Sequence, residues 1–175
     1  MTRIATIWSI ILFHSLVNAE CDTSRWQVFK GAWFDISYPM EFSVHPEQKS
    51  VTSTEGFDSV RFVSPDRKVE FYVFSPQWSG ESSELQVREG ERIVSNKIET
   101  HDFRIGDNVE KGAVVETWIT IEGGGGQQTR YYYTKRNRAT HTYLVFGLTS
   151  RDSRVTRNYK SCYARFKGSI RQYAD

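Results

Sequence analysis

Between Asp152 and Tyr173 the apolar and aromatic residues Val155, Tyr159, Cys162, Phe166, Ile170 and Tyr173 follow one another at steps of three or four. That spacing puts all six on one face of an α-helix, with Arg154, Arg157, Lys160, Arg165 and Arg171 pointing largely elsewhere. Asp152 or Ser153 can cap the first turn by accepting a bond from an orphan backbone N–H, and the basic residues near the end suit the negative pole of the helix dipole. The pattern predicts one long C-terminal helix lying on an apolar surface. Most of the apolar sequence before it alternates with period two, so the surface it covers is expected to be a β-sheet.

The alternating segments fall in order. Trp26 to Tyr38 reads as two short extended pieces broken at Gly31, and Phe42 and Val44 alternate with polar neighbours until Pro46. Val60 to Ser64 and Val69 to Ser75 form a predicted hairpin around Pro65-Asp66-Arg67-Lys68, with Pro and Asp where a type I turn uses them. Residues from Pro76 to Gly90, with Trp78 inside, read as a long polar loop, and Leu85 to Ile98 fits neither period. Glu99 to Ile105 is extended, Gly106-Asp107-Asn108 is a turn, and Ala113 to Ile121 pairs with Thr129 to Arg136 around the run Gly123 to Gly126. Thr142 to Thr149 supplies a last strand, with Leu144, Phe146 and Leu148 on one face and Tyr143, Val145 and Gly147 on the other.

Strands with large groups on both faces need cover on both, so the layers expected are helix, antiparallel sheet, and a further helix or loop. The residues Tyr38-Pro39, Phe42-Ser43-Val44, the hairpin through Phe71 and Phe74, Tyr143 to Gly147, and the final helix with Tyr159 and Phe166 resemble the PsbP-like and DcrB-like proteins. The resemblance implies an α+β fold, an α/β/α sandwich around an antiparallel sheet. It also implies a binding or assembly role at membranes or in extracytoplasmic compartments, with no shared catalytic residues.

The N-terminus adds a compartment. Arg3 precedes an apolar run from Ile4 to Val17, too short to span a bilayer, and Val17-Asn18-Ala19 offers small residues for cleavage. Residues 1–19 therefore read as a signal peptide and 20–175 as one α+β domain, secreted or periplasmic, with no transmembrane span after cleavage. Glu20 stands where a lipoprotein signal needs a small residue, which argues against lipidation of Cys21. Cys21 and Cys162 are the only cysteines, and in an oxidising compartment they most simply pair; a buried free thiol at Cys162 is the alternative. Lys and Arg number 23 against 21 Asp and Glu, so bulk charge gives no reason to expect nucleic acid.

Candidate chemistry is sparse. The glycine run lacks the Lys-Ser and the helix start that a phosphate cradle needs. His45, His101 and His141 are not at metal-ligand spacing, so neither a metal nor a cofactor is expected. If Ile121 pairs near Thr129, then Glu116, Trp118, Arg130 and Tyr132 share a face on which two charges flank two aromatics. Such a face can bind a ligand or peptide, or be a cross-strand ion pair under a covering element. Arg154, Arg157 and Arg165 could meet an anionic lipid surface or an acidic partner, or be a solvated helix face. The function expected is a binding or accessory protein that contacts another macromolecule or an envelope surface. A hydrolase with dispersed groups (Glu116, His101, His141) and a structural envelope component are the alternatives.

Overall fold

The computed structural model describes residues 25–173, apart from 54, 78–79 and 124–127. Within them the chain forms ten strands, one 3-10 turn and two short helices. β-branched and aromatic residues dominate β4 (Ser59–Val63), β5 (Val69–Phe74), β8 (Thr129–Asn137) and β9 (Thr142–Ser150), where they fit a pleated surface packed on its neighbours. With β3 (Ser43–Pro46), β6 (Glu91–Ile105) and β7 (Asn108–Gly123) they build an antiparallel sheet in the order β3-β4-β5-β9-β8-β7-β6. A second antiparallel sheet, β1-β2-β10, joins β1 (Trp26–Lys30), β2 (Phe34–Pro39) and β10 (Arg171–Gln172).

The main core lies between the two sheets and the helices. Phe34 and Ile36 of β2 meet Phe62, Phe71, Phe146 and Leu148 of the large sheet, and Tyr159, Cys162 and Phe166 complete the cluster. Phe166 is fully buried, with its ring centroid 5.2 Å from Phe71, 5.4 Å from Phe62 and 5.8 Å from Phe146. The opposite face carries a smaller cluster of Tyr72, Phe74, Ile121, Tyr132, Tyr143 and Val145. Gly147 lies under it for a steric reason: a Cβ there would come within 2.7 Å of the Tyr132 ring and 3.1 Å of Tyr72 Cβ.

This architecture corrects the expected fold class. The protein is mostly β, and it is not an α/β/α sandwich. The layer beyond the core is a small sheet plus short helices, and among the described residues the other face carries no α-helix. That face is covered in part by the segment between β5 and β6, where the regular piece among the described residues is the 3-10 turn Ser83–Leu85, with Leu85 packed on the smaller cluster. The segment has too few apolar residues for an amphipathic helix, and polar bonds hold it down, as described below.

The long C-terminal helix is corrected as well. Asp152 does cap it, its Oδ1 accepting from Arg154 N at 2.7 Å. The helix is broken at Tyr159 (φ −93°, ψ 1°) into α1 (Ser153–Asn158) and α2 (Lys160–Gly168). Tyr159 N still donates to Val155 O, and Tyr163 N to Tyr159 O, so the apolar stripe carries through the kink. As a helical stripe it ends after Phe166, and Ile170, beyond α2, still packs on the main core. Ser169 Oγ donates to Phe166 O at 2.8 Å and accepts from Ser37 N at 2.9 Å, and the chain then adds Arg171 and Gln172 to the free edge of β2. Tyr173, expected on the buried stripe, is 48% exposed. The expected signal peptide and Cys21 lie outside the described residues.

Candidate functional site

Arg130, the largest fully buried side chain among the described residues, is 1% exposed. Its Nε donates to Glu91 Oε1 at 3.0 Å, Nη1 to Glu84 O at 2.5 Å and Tyr132 OH at 3.0 Å, and Nη2 to Gln86 O at 2.8 Å and to Glu91 Oε2. Tyr132 OH donates to Glu84 Oε2 at 3.0 Å, and Glu84 Oε1 pairs with Arg61 Nη2 at 2.8 Å. Arg61 also holds Glu47 at 2.7 Å and Glu70 at 2.8 Å. Tyr72 OH and Ser82 Oγ lie 3.0 Å apart. The network fastens residues 82–91 to the sheet. Burial pushes the Tyr72 phenol up to about 12, and it pushes Tyr132 up as well, with the Glu84 charge adding to the effect. Burial would raise the Glu91 carboxyl, but the bonds from Arg130 and from Arg88 N hold it below its ordinary range.

Arg130 is thus structural, its donors already engaged with this chain. The four-residue face expected from the sequence is also divided in two. Ile121 pairs with Arg130 rather than with Thr129, so Ile119 lies beside Tyr132, Trp118 beside Tyr133 and Glu116 beside Lys135. A one-residue change of register moves every side chain of one strand to the other face. Glu116 and Trp118 stand on the helix side of the sheet: Tyr133 OH donates to Glu116 Oε1 at 2.8 Å, and Lys97 Nζ sits 5.2 Å from the Trp118 ring centroid. Arg130 and Tyr132 stand on the outer face under the covering segment. Glu84 and Glu91, the partners of Arg130, were not expected from the sequence, where Glu84 sits in the polar 76–90 stretch and Glu91 in the 85–98 stretch that fits neither period.

Where the covering segment stops, the outer face opens. A cavity of about 520 Å³ is lined by Leu85 from the 3-10 turn, Val115, Thr117 and Ile119 from β7, Thr134, Arg136 and Arg138, and Tyr143. A smaller one of about 230 Å³, bounded by Arg136, Arg138, His141 and Tyr143 among others, shares its basic end. The β8–β9 turn presents that end: Asn137 Oδ1 accepts from Ala139 N at 3.0 Å, and His141 adopts a left-handed φ of 54°. The Arg136 guanidinium lies 4.6 Å from the Tyr143 ring centroid. Chemically this is an apolar floor with three hydroxyls, from Thr117, Thr134 and Tyr143, and a cationic end, suited to an apolar ligand bearing an acidic group.

β6 flanks this groove as the sheet edge, and its side chains are largely solvent-facing. Ile98 is 62% exposed, Ile105 55%, Ile93 50% and, on β7, Val109 43%. β6 and β7 run on past the end of β8 to a two-residue turn at Gly106-Asp107, where Gly106 has φ +58°. Arg154 and Arg157 are exposed on α1. Arg165 is on α2, its guanidinium 4.4 Å from the Trp26 ring centroid. Cys162 is fully buried in the main core. Of the glycine run, residues 124–126 lie outside the described residues; Gly123 N donates to Gln128 O at 3.3 Å. His45 lies 3.0 Å from Ser43 Oγ on β3, and His101 stands with Glu99 and Glu116 on β6 and β7.

No protein-family model matches the chain, and no curated protein sequence matches it. Its fold is similar to the solution structure of cyanobacterial PsbP (CyanoP) from Synechocystis sp. PCC 6803. The TM-score is 0.50 at 11% identity, covering 85% of this chain and 93% of that one. The chain therefore has a PsbP-like fold, as the sequence resemblance implied. The Saccharomyces cerevisiae Ran-binding protein Mog1p matches at a TM-score of 0.40 and 11% identity, over 86% of this chain and 96% of its own.

Proposed function

We propose that this is an exported accessory protein that binds an extended segment of a protein partner along the outer side of the β6–β7 ribbon. The observation that carries the reading is the β6 edge, which no described strand covers. A long strand with exposed Ile93, Ile98 and Ile105 offers unpaired backbone groups and apolar surface together, the combination that strand-adding peptides use. The groove beside it supplies selectivity, with Arg136 and Arg138 placed to meet acidic side chains of the partner. No helix among the described residues is long and apolar enough to cross a membrane. Export rests on the N-terminal sequence, and N-terminal sequencing of the mature protein checks it: Glu20 as first residue supports the reading, and a retained Met1 ends it.

The Cys21–Cys162 disulfide belongs to the same proposal. Trp26 packs on Arg165 and on the core cluster that contains Cys162, and the five-residue step from Cys21 to Trp26 spans up to roughly 17 Å, enough to reach α2. Non-reducing peptide mapping tests it. For the partner, a photo-crosslinking residue at position 98 should label one protein in the native compartment, and Arg136→Glu should weaken that labelling. Labelling from position 154 but none from 98 would move the interface to the helix side.

A further inference from the structure

The helix-side face of the same ribbon carries a different chemistry, independent of the partner proposed above. Glu99 and Glu116 are direct cross-strand partners, and His101 shares their face because side chains alternate along β6. His101 Nε2 lies 3.7 Å from Glu99 Oε2 and 4.0 Å from Glu116 Oε2, and one ligand atom from each residue falls within 4.8 Å of the other two. Like charges directly opposite each other destabilise a sheet, and here each carboxylate meets a lysine on its Oε1 side only, which leaves the two Oε2 atoms facing the imidazole.

Lys97 Nζ reaches Glu99 Oε1 at 2.5 Å, and Lys135 Nζ lies 3.5 Å from Glu116 Oε1, so each lysine meets an Oε1 atom. Tyr133 OH donates to Glu116 Oε1 at 2.8 Å. With these outer oxygens held, both Oε2 atoms are turned toward the imidazole. We propose that Glu99, His101 and Glu116 form a site for a divalent first-row transition-metal ion, with Zn²⁺ as the probe.

Three arguments favour it. One imidazole nitrogen with two carboxylate oxygens suits zinc or its neighbours better than calcium or magnesium, which take all-oxygen shells. Ligand bonds of about 2.1 Å in a tetrahedron put ligand atoms ~3.4 Å apart. The present separations therefore need only small rotations of side chains that are exposed or half-buried. Finally, the Tyr133 hydroxyl already provides the outer bond that orients a ligating carboxylate. Three protein ligands leave at least one coordination position open to water or to a donor from another molecule.

The test is isothermal titration of zinc chloride into the tag-free chain in a non-chelating buffer at neutral pH. Circular dichroism of each variant checks the fold. Wild type should take up one zinc ion per chain. His101→Ala and Glu99→Gln, both at accessible positions, should lower affinity by about 10-fold or more, and Tyr133→Phe by about 10-fold while leaving all three ligands in place. Absence of zinc uptake by wild type at millimolar metal would overturn the proposal. So would undiminished uptake by a folded His101→Ala chain, or uptake lost instead in His45→Ala or His141→Ala.

Discussion

Strands β9 and β6 belong to one sheet and differ in almost every physical respect. β9 is sealed on both faces, with Leu144, Phe146 and Leu148 against β2 and the helices and Tyr143 and Val145 in the second cluster. Among the described residues β6 has one neighbour and no layer of helices over it, and several of its apolar side chains are exposed. The contrast separates stability from binding: the centre is held by burial, whereas the ribbon is held by pairing with β7 and keeps its remaining edge available. The largest effect expected from breaking this division is at the centre. Phe166→Ala removes a fully buried ring amid four others and should destabilise by about 3 to 5 kcal/mol in urea unfolding. Arg165→Ala, one residue away and stacked on Trp26, should cost about 1 kcal/mol or less. Equal costs would mean that the face assignment of α2 is wrong.

Next in size is the clamp that covers the outer face. Arg130→Met leaves Glu91 and the Glu84 and Gln86 carbonyls without their donor and should cost about 3 kcal/mol. Protease cleavage within residues 76–90 should rise with it. The same residue sets a pH dependence. Glu91 has a folded pKa held below its ordinary value of 4.5, so its contribution to stability is fully present above that value. It is lost as the pH falls through the folded pKa. Stability of the Arg130→Met chain should therefore change less than wild type as the pH falls from about 4.5 through the folded pKa of Glu91. A parallel loss in both chains would remove the Arg130–Glu91 pair as the cause.

What the sequence made legible follows the same division. Alternation located every strand of the sealed centre, and the stripe through Tyr159, Cys162 and Phe166 identified the helical face that meets it, because burial leaves a periodic mark. The features missed carry no such mark. The kink at Tyr159 and the exit at Ser169 depend on the free edge of β2 and the backbone of Ser37, far away in sequence. The Glu116-Trp118-Arg130-Tyr132 face depended on a register that a glycine-rich tip does not specify, and one residue of slip divided it. Glu84 lies in a polar stretch and Glu91 in one that fits neither period, and their meeting with Arg130 is a long-range event. His101 and Glu116, set down separately as dispersed groups, come within 4.0 Å only because β6 and β7 pair as they do.

The ribbon sharpens the comparison from the other side. Ile98→Asp places a charge on an already solvated edge, so its stability should stay within about 0.5 kcal/mol of wild type. Partner labelling from position 105, at the far end of the same strand, should nonetheless fall in that variant. Loss of stability by several kcal/mol would show that Ile98 belongs to the packed core and would withdraw the edge as a docking surface.

The smallest expected effect concerns α1. Arg154 and Arg157 are exposed there, away from the ribbon, and replacing both with Ala should leave the unfolding midpoint nearly unchanged, because exposed charges contribute little to stability. Their proposed role is contact with an anionic surface, so the readout is flotation with vesicles containing phosphatidylserine or phosphatidylglycerol. Attraction between exposed charges is screened over about 10 Å at 0.1 M salt. Wild type should therefore float at low salt and release as salt rises, and the double variant should float less at low salt. Flotation that is equal for both chains would assign any membrane contact to another face, and no flotation of wild type at low salt would leave these arginines as solubilising groups.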